Sequence, residues 1–570
     1  MTQEPSKPRS RSIAFAQGLK LAVLGISMAL LILALAVGPG WFHDQPRERQ
    51  RALVEAMLRL LLFGYAALGL AAASLPILAW RLGRGWRSGT RSRFVERGCL
   101  IAFSCLLSIA GLELVSAAWL VWMHRMPALP WRFAPEPPET YRIVVLGGSS
   151  ALGEPYRPWI SVGQIVADQI QRALPGRKVE CQILAWLGED LEEQHQRLAA
   201  ITRRPDMVIV YSGHNEFAAR FEEQREAWLD LDTGSRLFQA FHRALLVSPF
   251  CGLVHEIVSK NRLDLPPLAG RHQLIDPPLA SESESAEILA DFQRRLEAIT
   301  AYCEAIRAIP VLIIPPANES DYEPSRSTVA GSTPAAARAR LAADFARARA
   351  LETDHPRRSA AILAEILARH PGFAEAHFRL GKLLERAGRI DQAALHFLAA
   401  LDNDGLPIRC PARFRDAYRE VARRHASAVL IDGRNVLAAA SSTGLIGDEV
   451  IQDTHHPTLR GAIALARAVL GALRSRGLVA PGLDDRPDAA AILRAFAIDG
   501  DRWATACERT SEHYRRIAGY RYDGAKRMAT SRRYAEAARM LRQGTPPDDV
   551  GLPGIGVASR PRKPSGEAGP

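Results

Sequence analysis

In the stretch Tyr141–Tyr156, YRIVVLGGSSALGEPY, an apolar and largely β-branched run, Ile143-Val144-Val145-Leu146, breaks abruptly into Gly147-Gly148-Ser149-Ser150 and then Gly153. Such a break reads as a buried strand ending in a tight turn. Glycines at 147 and 148 admit backbone conformations closed to bulkier residues and leave room for a substrate to approach the Ser149 hydroxyl. Taken alone, the pattern fits equally a serine displayed at the edge of a sheet and an ordinary Gly-rich strand-to-helix turn, including one that cradles phosphate, so the neighbouring segments have to discriminate.

Those segments alternate. A helical pattern over Ile160–Leu174 ends at Pro175-Gly176, and a short strand over Val179–Leu184 leads to Ala185-Trp186-Leu187-Gly188. Asp190–Thr202 is again helical, and the strand Met207–Tyr211 runs into Ser212-Gly213-His214-Asn215-Glu216. After an aromatic, poorly periodic segment, Phe217–Ala280, which suits a lid or one wall of a cleft, come the helix Glu287–Ala308 and the strand Val311–Ile314. Strands alternating with helices predict an α/β fold, a parallel sheet covered on both faces with ligand sites at the strands' carboxyl ends. Ser149, Gly188 and Asn215 each follow such an end.

The pattern is interrupted over 331–405. Leu380-Gly381, Leu384, Gly388, Ala393, Phe397 and Ala400 hold the spacing of a tetratricopeptide repeat, and a weaker copy lies about 34 residues earlier. Fewer than three repeats seldom stand alone. Two readings stay open: a docking element for a protein partner, or a helical cover packed on the rest of the chain. The α/β pattern resumes over 406–480, with the helix Ala412–His425, the strand Ala428–Ile431 and the helix Ala462–Arg476. A helical extension over 481–545 follows, and the Pro- and Gly-rich stretch 546–570 reads as a disordered tail.

Within the second α/β portion, Asp453-Thr454-His455-His456-Pro457 spaces a carboxylate three residues from an imidazole. A serine is a weak nucleophile without a base, and a carboxylate that holds the imidazole's tautomer completes such a base. His456 with Asp453 is the candidate pair and His455 the competing base, set aside only by its position in the motif; a surface loop or a pair of metal ligands would show the same spacing.

Gly147-Gly148-Ser149-Ser150-Ala151-Leu152-Gly153, Gly188, Gly213-His214-Asn215-Glu216 and Asp453-Thr454-His455-His456-Pro457 together resemble, in order, the four blocks of the SGNH, or GDSL-like, serine esterase and lipase superfamily. The resemblance covers about Tyr141 to Arg476. It implies a three-layer parallel-sheet hydrolase fold with Ser149 as nucleophile, His456 as base and Asp453 orienting it. It further implies an oxyanion hole made by the backbone N–H groups of Ser149 and Gly188 with the Asn215 side-chain amide, and a reaction that needs neither metal nor organic cofactor. Departures occur at Gly148, where many members carry aspartate, at Ile183, where several carry asparagine, and at Glu216, which replaces an aspartate. An acyltransferase on the same triad, or a noncatalytic repeat scaffold, are the rival functions.

The first 125 residues set the location. Leu21–Phe42, Leu60–Trp80 and Gly98–Met123 are apolar runs near the roughly 20 residues that a membrane helix needs. Arg and Lys before the first run and between the second and third point those flanks to the cytoplasm. A multi-pass membrane protein with an extracytoplasmic catalytic domain, joined by the linker 126–139, is therefore expected. Acylated small molecules, envelope glycans or lipids are the corresponding substrates. The formal charge of +12 is spread along the chain rather than gathered with aromatics in one patch, which argues against a nucleic-acid partner. The seven cysteines show no ligand-like spacing. Glu113, inside the third run, is either a functional carboxylate or one bonded to Ser116 or a neighbouring helix.

Overall fold

The computed structural model describes residues 80, 81, 83, 84, 110, 111, 113–119, 126–135, 139–218, 248–250 and 272–556. The chain divides into two compact units, one comprising 1–125 with 227–264 and the other 126–226 with 265–570. In the first unit, Glu113 accepts hydrogen bonds from Ser248 Oγ at 2.6 Å and from the Phe250 backbone N–H at 3.0 Å. The three expected membrane spans, and most of the expected lid, lie outside the described residues. Among the described residues, no helix is long and apolar enough to cross a membrane.

In chain order the second unit runs β1 (Thr140–Gly147), α1 (Ser149–Leu152), α2 (Val162–Ala173), β2 (Lys178–Ala185), α3 (Leu191–Ala199), β3 (Met207–Tyr211), α4 (Glu282–Ala305) and β4 (Ile309–Ile314). Four helices follow: α5 (Ala335–Ala350), α6 (Pro356–Arg369), α7 (Ala374–Arg386) and α8 (Ile390–Asp402). Then come α9 (Ala412–Arg424), β5 (Val429–Asp432), α10 (Gly433–Ala440), α11 (Leu459–Ser475), α12 (Ala489–Ala495), α13 (Gly500–Ile517) and α14 (Ala525–Arg542). Helix α4 starts five residues before its apolar periodicity does, because Ser281 and Glu284 form a reciprocal capping box.

All five strands pair in parallel, in the order β2-β1-β3-β4-β5. The central strands feed two cores, as the period-2 alternation of a strand requires. Ile143, Val145, Ile209, Val311 and Ile313 face one side with residues of α2, α11, α13 and α14. Val144, Leu146, Val208, Val210 and Leu312 face the other with residues of α3, α4 and α9. The expected linker is irregular and lies along this second layer: Pro130 O accepts from Tyr302 Oη at 2.9 Å, and Ala134 N donates to Thr202 O at 2.8 Å.

The interrupting segment forms helices α5 to α8, successive members packing on one another. At Gly381 a Cβ would lie 2.8 Å from the Phe397 ring, so the small residue lets α7 and α8 close on each other. Phe378, Phe397 and Ala400 share a cluster with Leu445 from beyond β5, and Arg521 donates to the buried carboxylate of Glu375 on α7. The segment thus packs on the rest of its own unit.

One expectation needs correcting. The tail assigned to disorder over 546–570 is structured as far as Gly556: Pro547–Asp549 make a turn, and Ile555 is buried in the core. At Gly554 a Cβ would lie 2.4 Å from Asp448 O and 2.5 Å from Thr458 Cγ2, so here glycine provides close docking rather than flexibility. Residues 557–570 lie outside the described residues.

Candidate active site

The carboxyl ends of β2, β1 and β3 are level, since Gly147 is opposite Ala185 on one side and Tyr211 on the other. The chain order reverses between β1 and β3, the position at which open parallel sheets leave a crevice. Loops leaving these three ends carry Ser149, Gly188 and Asn215 to one rim. Their closeness is fixed by two observations. Asn215 Nδ2 donates to Glu189 O at 3.0 Å, and a Cβ at Gly148 would lie 2.4 Å from that same Nδ2. The turn therefore needs glycine at 148 for space and not for a special backbone angle, because its φ is −90°. No aspartate could occupy that position without moving Asn215. Gly188, by contrast, sits at φ 76°, where glycine carries no steric cost.

Ser149 opens α1 and is buried. Its Oγ is 2.7 Å from His456 Nε2, while His456 Nδ1 is 2.7 Å from Asp453 Oδ2. The other carboxylate oxygen accepts the backbone N–H groups of His455 at 3.1 Å and His456 at 3.0 Å. The turn between Asp453 and His456 is compact and is closed by its own acid. His456 alone of the adjacent pair meets the serine. His455 bonds Thr454 Oγ1 through Nδ1 at 2.8 Å, and its carbonyl accepts from Ser150 Oγ at 3.0 Å.

Electrostatics separates these groups further. Burial raises the Asp453 carboxyl, but His456 and His513 beside it outweigh that and hold it well below the usual carboxylate range. Burial lowers His456, but the Asp453 carboxylate outweighs it and leaves the imidazole more basic than usual. His455, buried beside His214 and His456, is pushed well below the ordinary histidine value. His214 is likewise lowered, to about 3, chiefly by burial. It is no solvated loop residue: its ring stacks on His455 at 4.3 Å, and its Nδ1 accepts the Cys410 backbone N–H at 3.0 Å.

Glu216 acts as a strut. Its carboxyl, raised well above the usual range by burial and then by Asp190, accepts from Ser212 Oγ at 3.2 Å and from the Leu191 N–H at 3.4 Å. Gln194 joins the same two loops by donating to Ser212 Oγ and Glu189 O.

Sequence reasoning missed His513. It projects from α13 and places Nε2 3.4 Å from Thr454 Oγ1 and 3.9 Å from Asp453 Oδ2. Asp453, His456 and His513 have donor atoms within 4.8 Å of one another, the one such group among the described residues with the makings of a metal site. Both Asp453 oxygens are already engaged by N–H donors, so the cluster reads as a hydrogen-bonded network. The chain matches no protein-family model, curated protein or solved structure with which it was compared.

Proposed function

We propose that the chain is a serine hydrolase of the SGNH type that cleaves O-acyl esters through an acyl-serine intermediate. The observation that carries this reading is the continuous relay from Ser149 Oγ through His456 to Asp453, with both links at 2.7 Å. As Ser149 Oγ attacks the acyl carbonyl, its proton passes to His456 Nε2, and the imidazolium that forms is stabilised by the Asp453 carboxylate. The oxyanion is received by the N–H groups of Ser149 and Gly188 and the Asn215 amide, donors of a kind that contribute about 3 kcal/mol each. Collapse expels the alcohol, which takes the proton from His456. Water, deprotonated by the same imidazole, then releases the carboxylic acid and restores Ser149. No metal or organic cofactor enters these steps.

The apolar runs before residue 125 support attachment to a membrane with this site outside the cytoplasm, beside acylated envelope glycans or lipids. Transfer of the acyl group to an acceptor alcohol is a second reading. It uses the same Ser149–His456–Asp453 relay and differs only in the hydroxyl that takes the acyl group.

The test is release of p-nitrophenol from short acyl esters by the detergent-solubilised full chain, beside Ser149→Ala and His456→Ala. Nucleophile and base act as a unit, so each variant loses several orders of magnitude in kcat. Activity that survives both changes refutes the assignment. A rate that depends on added acceptor alcohol, with the acylated alcohol as product, establishes transfer in place of hydrolysis.

A further inference from the structure

Helix α13 lies outside the four blocks that resemble a known family, yet it touches both loops that carry the candidate triad. Trp503 packs edge-on against Tyr156, with ring centroids 5.5 Å apart, and Arg509 donates to the carbonyls of Pro155 and Arg157 in the loop that follows Ser149. Thr510 Oγ1 accepts from Gln452 Nε2 at 3.0 Å, one residue before the acid. From α14, Tyr534 Oη donates to the Gln452 carbonyl at 3.1 Å. Trp503, Thr510 and His513 recur at helical spacing, so a single face of α13 presents all three.

His513 reaches furthest into the site. Its Nδ1 accepts from the Arg516 guanidinium at 3.4 Å, so in this arrangement the ring proton sits on Nε2. That N–H lies near both Thr454 Oγ1 and Asp453 Oδ2, the oxygen that also receives His456 Nδ1–H. The Thr454 hydroxyl can then give its proton to His455 Nδ1. The His513 ring stands edge-on to His456 at 5.4 Å and closes the space beside the acid. Asp453 already receives three N–H donors from its own turn; His513 adds a bond to the neighbouring Thr454 and a ring packed beside the carboxylate, which together restrict how far a buried acid can turn away.

We propose that His513 is a positioning residue of the hydrolytic site: through Thr454 and Asp453 it keeps the acid turned towards His456, so that the helical extension is a working part of the catalytic unit. This inference rests on the serine-hydrolase reading.

The test uses the full chain in detergent with a fluorophosphonate, whose reaction reads the Ser149–His456 pair independently of the natural substrate. Ser149 Oγ attacks phosphorus, the P–F bond breaks, fluoride leaves, and the serine proton passes to His456 and on to solvent. In His513→Ala the number of reactive sites is expected to stay at the wild-type level while the labelling rate falls about 10- to 100-fold, up to the loss that a misplacement of about 1 Å in the reacting groups produces. With a p-nitrophenyl ester, kcat falls and KM does not. His513→Gln, whose amide N–H can donate to the same oxygens, recovers most of both rates. Wild-type labelling by His513→Ala overturns the inference alone. So does an equal loss in the Ala and Gln variants that follows the number of reactive sites, since that marks a purely structural residue. A wild-type protein that the probe does not label at Ser149 overturns the serine-hydrolase reading and this inference with it.

Discussion

Gly148→Ala is a one-carbon perturbation aimed at the oxyanion donors. The residue sits at φ −90°, outside the left-handed region, so the consequence comes from contact and not from backbone strain. The new Cβ would lie 2.4 Å from Asn215 Nδ2 and 3.2 Å from Glu189 O, whereas ordinary contact begins at 3.4 Å. The Asn215 amide must therefore withdraw by about 1 Å, and the main-chain carbonyl that holds it at 3.0 Å is itself crowded. A displacement of about 1 Å in a positioning group costs about 100-fold in rate, or some 2.7 kcal/mol of transition-state stabilisation. The assay is kcat/KM for a p-nitrophenyl ester with the full chain in detergent, measured for Gly148→Ala, Asn215→Ala and the double variant. Each single variant should lose about 100-fold. Because the first change acts through Asn215, the double variant should lose little more than Asn215→Ala alone. An unimpaired Gly148→Ala, or losses that multiply to about 10⁴-fold, would refute the claim that Gly148 exists to leave room for this amide.

Catalysis needs neutral His456, whose basicity Asp453 raises against the effect of burial, so kcat/KM should fall on the acid side through one ionisation displaced above the ordinary histidine value. In Asp453→Asn the midpoint of the kcat/KM–pH profile should move down, and a profile that stays in place would detach Asp453 from the base. Gly381→Ala should overpack the Phe397 contact by about 1–3 kcal/mol and speed hydrogen exchange over 374–402, while kcat per reactive serine remains unchanged. Unaltered exchange there would mean that α7 and α8 do not depend on this close approach.

Periodicity and turn chemistry sufficed for the strands, because buried parallel strands such as Ile143–Leu146 and Met207–Tyr211 are continuous apolar runs with sharp ends. The same turns led to Ser149, Gly188 and Asn215, since a side chain at the carboxyl end of a strand is placed by the sheet itself. Asp453 and His456 were readable from their place in the block resembling a known family; their three-residue spacing brings them together only because the Asp453 carboxylate closes the turn between them. The need for glycine at 148 was assigned to backbone freedom and to room for a substrate, whereas the space it leaves is filled by Asn215, a long-range contact with no local signature. In the 546–556 stretch, composition suggested disorder, but Gly554 is small in order to fit against Asp448 and Thr458. Composition counts residues and not neighbours.

His513 shows where such reading ends and why. The periodicity of α13 identifies its buried face, which carries Trp503, Ala506, Thr510 and Tyr514. An amphipathic stripe states that something covers it but not what that is. A histidine beside such a stripe is, on residue type alone, no more informative than His425, which sits between Glu297 and Glu304 on the far layer. The distinction comes from the loop that α13 happens to cover. Gln452, Asp453 and Thr454 present polar atoms that need partners when buried, and α13 and α14 supply them through Thr510, His513 and Tyr534. A helix that satisfies the polar groups of a catalytic turn is coupled to that turn's geometry. Substitutions along this face should accordingly change the reactivity of Ser149 more than those at equally buried positions facing the sheet.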